Sequence, residues 1–220
     1  MEAALLPPMP NSFSPAEWRA YYSEKRVVHQ WTQLDLLAGT EARRVLEIGP
    51  AYGLVTAMLA NAGYEVETLD QLQRQFASPD ARHIEADITA LAGKDIAGHD
   101  AILCCETLEH IDWEEVPPVL TAFRDSGARW LVVSVPYMAF QITFDLYLNA
   151  KALRHYFSMK KLLSRRAFTR EPPGGHQWEI GYKGYPLKRW EARLATCGWR
   201  IVRREFTAHT RSVFHLLERS

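Results

Sequence analysis

The chain has 220 residues, 47% of them hydrophobic, and its 26 basic residues balance 26 acidic ones. That length can bury one sizeable core, and the zero formal charge argues against a globally basic protein built to hold long nucleic acid, leaving room only for a local patch. Three cysteines, adjacent at Cys104 and Cys105 and remote at Cys197, offer neither a disulfide framework nor a C-x-x-C zinc pattern and read as reduced core residues.

In chain order, residues 1–11 are Pro-rich and read as a loose arm, without the basic start and apolar run of a signal peptide. No stretch is apolar for long enough to span a bilayer, so the expected location is the cytoplasm. Ser14-Pro15-Ala16-Glu17 is a capping box with proline at the first helical position. It predicts one helix running through Trp18, Tyr21, Tyr22 and Trp31 to Leu37, which covers one side of a sheet, so that residues 1–40 read as an arm and a covering helix.

Val45 to Ile48 reads as a buried strand that turns at Gly49-Pro50-Ala51-Tyr52-Gly53 into a helix from Leu54 to Asn61. The glycines let the backbone turn and approach a ligand, and the first helical N–H groups face outward. Glu47 separates this turn from a dinucleotide site, where a pyrophosphate needs bare N–H groups in a G-x-G-x-x-G pattern without a competing anion. The pattern here, E-x-G-x-x-x-G, suits a ligand with a cationic end. It resembles motif I of the class I S-adenosylmethionine-dependent methyltransferases, D/E-x-G-x-G-x-G, with Ala51 where the middle glycine usually stands. In that family the N-terminal helix often forms part of a lid, which makes Tyr21, Tyr22 and His29 candidates to touch ligand.

A second strand, Tyr64 to Leu69, ends at Asp70, a little over twenty residues after Glu47, as a strand, helix and strand require to set two carboxylates side by side. Asp70 can accept both ribose hydroxyls there. A third strand, Arg82 to Ala86, runs into Asp87-Ile88; the resemblance implies that Asp87 accepts from the adenine amino group, with Leu69, Ile88 and Leu91 as candidates to sandwich the ring. Asp100 to Cys105 is a continuous apolar run of the kind found in sheets covered on both faces. The resemblance places Cys105, with Glu47, Gly49, Ala51, Gly53, Asp70, Asp87 and Ile88, among the cofactor-binding residues.

The fourth strand opens into Glu106-Thr107-Leu108-Glu109-His110, with potential ligands at i, i+3 and i+4, a spacing that shares one face of a helical turn. The E-x-x-E-H pattern is similar to that of the ubiquinone-biosynthesis O-methyltransferases and of the small-RNA 3'-terminal 2'-O-methyltransferases, where it is implicated in holding a divalent metal. Gly174 to Glu179 resembles their second His-containing segment. The implied metal set is therefore Glu106, Glu109, His110 and His176, whose chemistry suits Mg, Mn, Fe or Zn. The alternative is metal-free, with His110 as base or positioning group. Either way His110 and Glu106 are the candidate catalytic residues.

Asp112 to Glu115 places acids in a helix's first turn, the alternative being a helix that starts only after Pro117 and Pro118. Arg129 to Val135 is a fifth strand. Residues 138–175 are expected to be a helical substrate cap: aromatics from Phe140 to Tyr147 precede Lys151, Arg154, Lys160, Lys161, Arg165, Arg166 and Arg170. A peripheral membrane contact through 138–170 is the second reading of this insert. A helix from Pro186 to about Cys197 and strands at Trp199 to Val202 and Ser212 to Leu217 finish the chain.

The resemblance implies a three-layer Rossmann-like α/β fold over residues 41–220, with a seven-stranded, mostly parallel sheet in the order 3-2-1-4-5-7-6. It implies methyl transfer from S-adenosylmethionine to a hydroxyl of a small-molecule or lipid-like acceptor. A metal-dependent RNA 3'-end 2'-O-methyltransferase and a non-catalytic cofactor-binding partner are the alternatives.

Overall fold

The computed structural model describes residues 13–72, 76, 81–160 and 166–220. The Pro-rich arm at 1–11 and the basic residues Lys161 and Arg165 lie outside the described residues.

The chain runs through α1 (Pro15–Tyr21), α2 (Glu24–Ala38), β1 (Arg44–Ile48), α3 (Leu54–Asn61), β2 (Glu65–Asp70), β3 (Arg82–Glu85), β4 (Ala101–Cys105), α4 (Val116–Asp125) and β5 (Trp130–Pro136). It continues through β6 (Gln141–Asn149), β7 (Ala152–Lys160), α5 (Leu187–Thr196), β8 (Trp199–Phe206) and β9 (Ser212–Arg219). Seven strands form one sheet in the order β3-β2-β1-β4-β5-β9-β8. Pairing is parallel from β3 through to β5, and antiparallel where β9 joins β5 and β8 joins β9. With β6 and β7 set apart, this is the expected order.

The layers follow from the two-residue period of the strands. On β4, Ala101 and Leu103 pack with Leu36 and Leu37 of α2 and Leu59 of α3, while Ile102 and Cys104 pack with Leu120 and Phe123 of α4 and Trp190 of α5. Both faces of the central strands are therefore covered, and β5 is buried along its whole length. The last strand of the sheet, β8, keeps Arg200, Arg203, Arg204 and Glu205 along a partly exposed length, which discourages edge pairing.

Three expectations are corrected. The N-terminal segment is two helices. The capping box is present, with the Glu17 N–H donating to Ser14 Oγ at 3.2 Å, but the chain breaks at Tyr22 and restarts after Ser23. Tyr22 turns inward, and its hydroxyl accepts from the Leu54 N–H at 3.2 Å. Helix α4 begins at Val116, after the acids, because Pro117 and Pro118 fill its first positions, where no N–H is needed; Trp113 is buried in the core.

The insert following β5 is a β-hairpin, where a helical cap over 138–175 is the sequence expectation. β6 and β7 pair antiparallel from Gln141↔Lys160 to Asn149↔Ala152. Asn149 Oδ1 accepts from the Lys151 and Ala152 N–H groups at 2.8 Å each, closing the turn. Alternation of Ile142, Phe144, Leu146 and Leu148 with more polar residues favours a strand over a helix. Residues 166–185 then return to the sheet as an irregular strap carrying a single bridge, Tyr137↔Ile180.

Candidate active site

The turn after β1 needs left-handed backbone. Gly49 and Gly53 adopt φ of 69° and 79°, and a Cβ on Gly53 would come within 2.3 Å of the Phe76 ring. Ala51 is held at φ 47°, a conformation in which its methyl group is strained. The turn is closed by the Gly49 N–H donating to the Leu69 carbonyl at 2.8 Å and the Gly53 N–H to the Pro50 carbonyl at 2.9 Å.

Behind the turn, Glu47 is buried, with Oε2 accepting from Thr56 Oγ at 2.5 Å. Burial pushes its carboxyl up to about 7, against the downward pull of the Thr56 hydroxyl. A buried acid poised in this way is stabilised as a carboxylate by a cation brought beside it. In front, Tyr52 meets the ring of Tyr21 at a centroid distance of 5.0 Å and that of Phe13 at 4.3 Å. Tyr22 joins this group with its hydroxyl pushed up to about 12 by burial.

Two adjoining cavities open here, of about 540 and 710 Å³, within the range of small-molecule sites. They share Tyr21, Gly49, Ala51, Glu106 and His110. The larger is lined by Asp70, Asp87, Ile88 and Leu69, and the smaller by Glu47, Cys105, Glu109, His176, Tyr22 and His29. The fold thus gathers nearly all the sequence-predicted residues at one sheet end. Gly53 and Leu91 line neither cavity; Gly53 shapes the turn beneath Phe76. Asp87 Oδ1 is engaged locally, accepting from the Thr89 N–H and hydroxyl at 2.8 Å each.

The E-x-x-E-H stretch is not a regular helical turn. Glu106 sits at φ 50° and only Leu108–His110 form a short 3-10 turn, so the ligand candidates do not share one face. Glu109, His110 and His176 bring one ligand atom each to within 4.8 Å of one another. Glu106 stays outside this group: its Oε1 accepts from Ser134 Oγ at 2.9 Å and lies 3.6 Å from His29 Nε2.

This trio fits a divalent ion. Glu109 is fully buried, yet neither of its carboxylate oxygens has a hydrogen-bond partner among the described residues. Unpaired buried acceptors are costly, and burial, with Glu106 nearby, holds the carboxyl well above the usual range. Both imidazoles are tethered through Nδ1. His110 donates to the Gly174 carbonyl at 2.9 Å and His176 bonds Glu179 Oε1 at 2.8 Å, and neither Nε2 makes a hydrogen bond among the described residues. His176 Nε2 lies 4.0 Å from Glu109 Oε1. Imidazole tethered through one nitrogen by a carbonyl or carboxylate is the usual outer support of a metal ligand. Burial and the neighbouring His176 hold His110 below its ordinary value; the Glu179 bond raises His176.

Four contributors were not assigned from sequence. Glu179 had a readable signal, three residues after His176. Ser134 and the β8–β9 turn residues His209 and Thr210, which line the smaller cavity, had none, because the topology alone brings them there.

No family model matches the chain. A ubiquinone biosynthesis O-methyltransferase of Paracidovorax citrulli is 29% identical over 109 residues, 43% of this chain and 46% of that protein, so the match spans less than half the length of that relative. Magnesium protoporphyrin IX methyltransferase of Synechocystis PCC 6803, solved with bound S-adenosylmethionine, superposes with a TM-score of 0.60 at 17% identity, covering 93% of this chain and 90% of that one. The chain has the class I methyltransferase fold. Another structure with this methyltransferase fold, 1,6-didemethyltoxoflavin-N1-methyltransferase of Burkholderia thailandensis with S-adenosylhomocysteine, matches at a TM-score of 0.55 and 16% identity over 100% of this chain and 93% of that one. Among the described residues no helix is long and apolar enough to cross a membrane.

Proposed function

We propose that the chain transfers a methyl group from S-adenosylmethionine to a hydroxyl of a small-molecule or lipid-like acceptor, and that Glu109, His110 and His176 hold a divalent ion at the acceptor. The observation that carries this reading is the buried Glu109 carboxylate, without a hydrogen-bond partner among the described residues, facing two Nδ1-tethered imidazoles, in the cavity that Glu47 and the glycine turn also line.

The cofactor supplies a methyl group on a sulfonium, transferred by in-line displacement. Glu47 receives the ammonium end through its carboxylate, and the turn at Gly49 and Ala51 lets the backbone lie against the ligand. Asp70 accepts from the ribose hydroxyls. Asp87 offers Oδ2 to the adenine amino group, since Oδ1 is occupied by Thr89, and Ile88 and Leu69 flank the ring. Tyr21, Tyr22 and His29 close the site from the N-terminal side and exclude water, which the reaction requires.

A bound divalent ion lowers the pKa of an acceptor hydroxyl and orients it. Without an ion, His110 Nε2 would take the same proton, the ring's orientation set by the Gly174 carbonyl. The cluster of one carboxylate and two imidazoles equally supports the second reading, methylation of an RNA 3'-terminal 2'-hydroxyl.

Incubating the protein with methyl-labelled S-adenosylmethionine and a catechol, a lipid extract or an RNA 3' end, with and without chelator, separates these readings. The expected result is chelator-sensitive transfer to the catechol or the extract. Transfer to RNA alone selects the second reading. Tight cofactor binding with transfer to none would leave a non-catalytic cofactor-binding protein.

A further inference from the structure

The hairpin formed by β6 and β7 is amphipathic in the reverse of the usual sense. Its polar face meets the body of the protein: Thr143 Oγ donates to the Ala208 carbonyl at 3.3 Å, Asp145 Oδ2 lies 3.0 Å from His209 Nε2, and Lys25 Nζ sits 4.5 Å over the Tyr156 ring. The other face points to solvent. The register sets Ile142 beside Met159 and Phe144 beside Phe157, and nearer the tip Leu146 and Leu148 beside His155 and Leu153. The seven apolar side chains among these are 56–70% exposed.

A two-stranded ribbon is marginal in water by itself, and an apolar patch of this extent on a lone chain marks an interaction surface. We infer that this outer face of β6 and β7 packs on the same face of a second copy of the chain, making a two-fold dimer.

The area supports that occupant. At roughly 200 Å² for each fully exposed side chain of this size, the patch offers on the order of 800 Å², which is about what each partner contributes to a stable protein interface. The chemistry agrees. The patch carries Phe, Leu, Ile and Met, with His155 its one polar member and no lysine or arginine, as in a dry interface core. A membrane-surface element would set cations and Trp or Tyr around the apolar face, whereas Arg154 and Tyr147 lie on the opposite, polar face of the ribbon. A two-fold axis near the middle of the ribbon lays the tip leucines on the partner's Ile142 and Met159, and the bulky Phe144 and Phe157 row against the Leu146 and His155 row, so that large meets small.

Analytical ultracentrifugation across a hundredfold concentration range tests the proposal. The full chain is expected to sediment as a dimer that dissociates on dilution, and the double variant Phe144→Ser, Phe157→Ser as a monomer, at least tenfold weaker in association, with an unchanged far-ultraviolet spectrum. Hydrogen exchange on the unmodified chain gives a readout that does not depend on how the variant folds: 141–160 should gain protection in the concentrated sample. A wild-type chain that stays monomeric, a dimer unaffected by the double variant, or protection of 141–160 that comes only with phosphatidylglycerol and phosphatidylethanolamine vesicles would overturn it.

Discussion

Replacing Glu47 with Gln tests whether a buried acid has been placed for a cation. In the free protein, burial raises this carboxyl from 4.5 to about 7. At 1.36 kcal/mol for each pKa unit, ionising it in the empty site costs about 3 kcal/mol. The folded state holds the extra proton between those two values, so the associated stability is fully present below 4.5 and lost as the pH rises through about 7. Glu47→Gln keeps an oxygen that accepts from Thr56 and carries no such cost. The variant should therefore gain about 3 kcal/mol on the wild type between pH 4.5 and pH 8, a relative melting shift on the order of 10 °C for a chain of this size. It should also bind S-adenosylhomocysteine at least about tenfold more weakly at pH 8, because a neutral amide does not balance the ligand's ammonium group. Melting curves from pH 4.5 to 8 and calorimetric titrations at pH 8 read the two effects. Parallel pH curves for the two proteins, or undiminished affinity in the variant, would refute the reasoning.

Other substitutions follow from the same geometry. Glu109→Gln should abolish stoichiometric Mn²⁺ binding measured by calorimetry, while Glu106→Gln, whose parent carboxylate is engaged by Ser134, should weaken it less than about tenfold; the opposite ranking would move the metal to Glu106. Ala51→Gly removes a methyl group from a left-handed residue and should raise stability by about 0.5–1 kcal/mol, seen as a melting point higher by about 2 °C. Tyr22→Phe keeps the buried ring but strips the Leu54 N–H of its acceptor, and should lower the melting point by about 2–4 °C, near 1 kcal/mol.

Much of the fold could be read from residues whose local chemistry has one solution. The Val45–Gly53 turn and the Leu54 start of α3 fall where the apolar run meets the two glycines. The apolar runs at 101–105 and 130–136, the second interrupted by Ser134, form the doubly covered centre of the sheet. The break at Tyr22 was harder to see, because a tyrosine in an amphipathic stretch continues a helix unless something deeper attracts it; here that is the Leu54 N–H. Ser23 before Glu24 was a usable signal of a second helix start.

In the insert the clustered aromatics and bases suggest a cap helix, whereas the strict alternation of Ile142, Phe144, Leu146 and Leu148 carries the strand signal. In the site, the identity of the ligand candidates was legible and their grouping was not. Sequence spacing put Glu106 with Glu109 and His110, but the left-handed φ at Glu106 directs it towards Ser134 and His29.

The proposed function requires a site that takes S-adenosylmethionine and its demethylated product. Titrating S-adenosylhomocysteine into the wild-type protein at pH 8 should show one binding event per chain, unaffected by an excess of NAD. Absence of heat with the nucleoside, or its displacement by the dinucleotide, would contradict it.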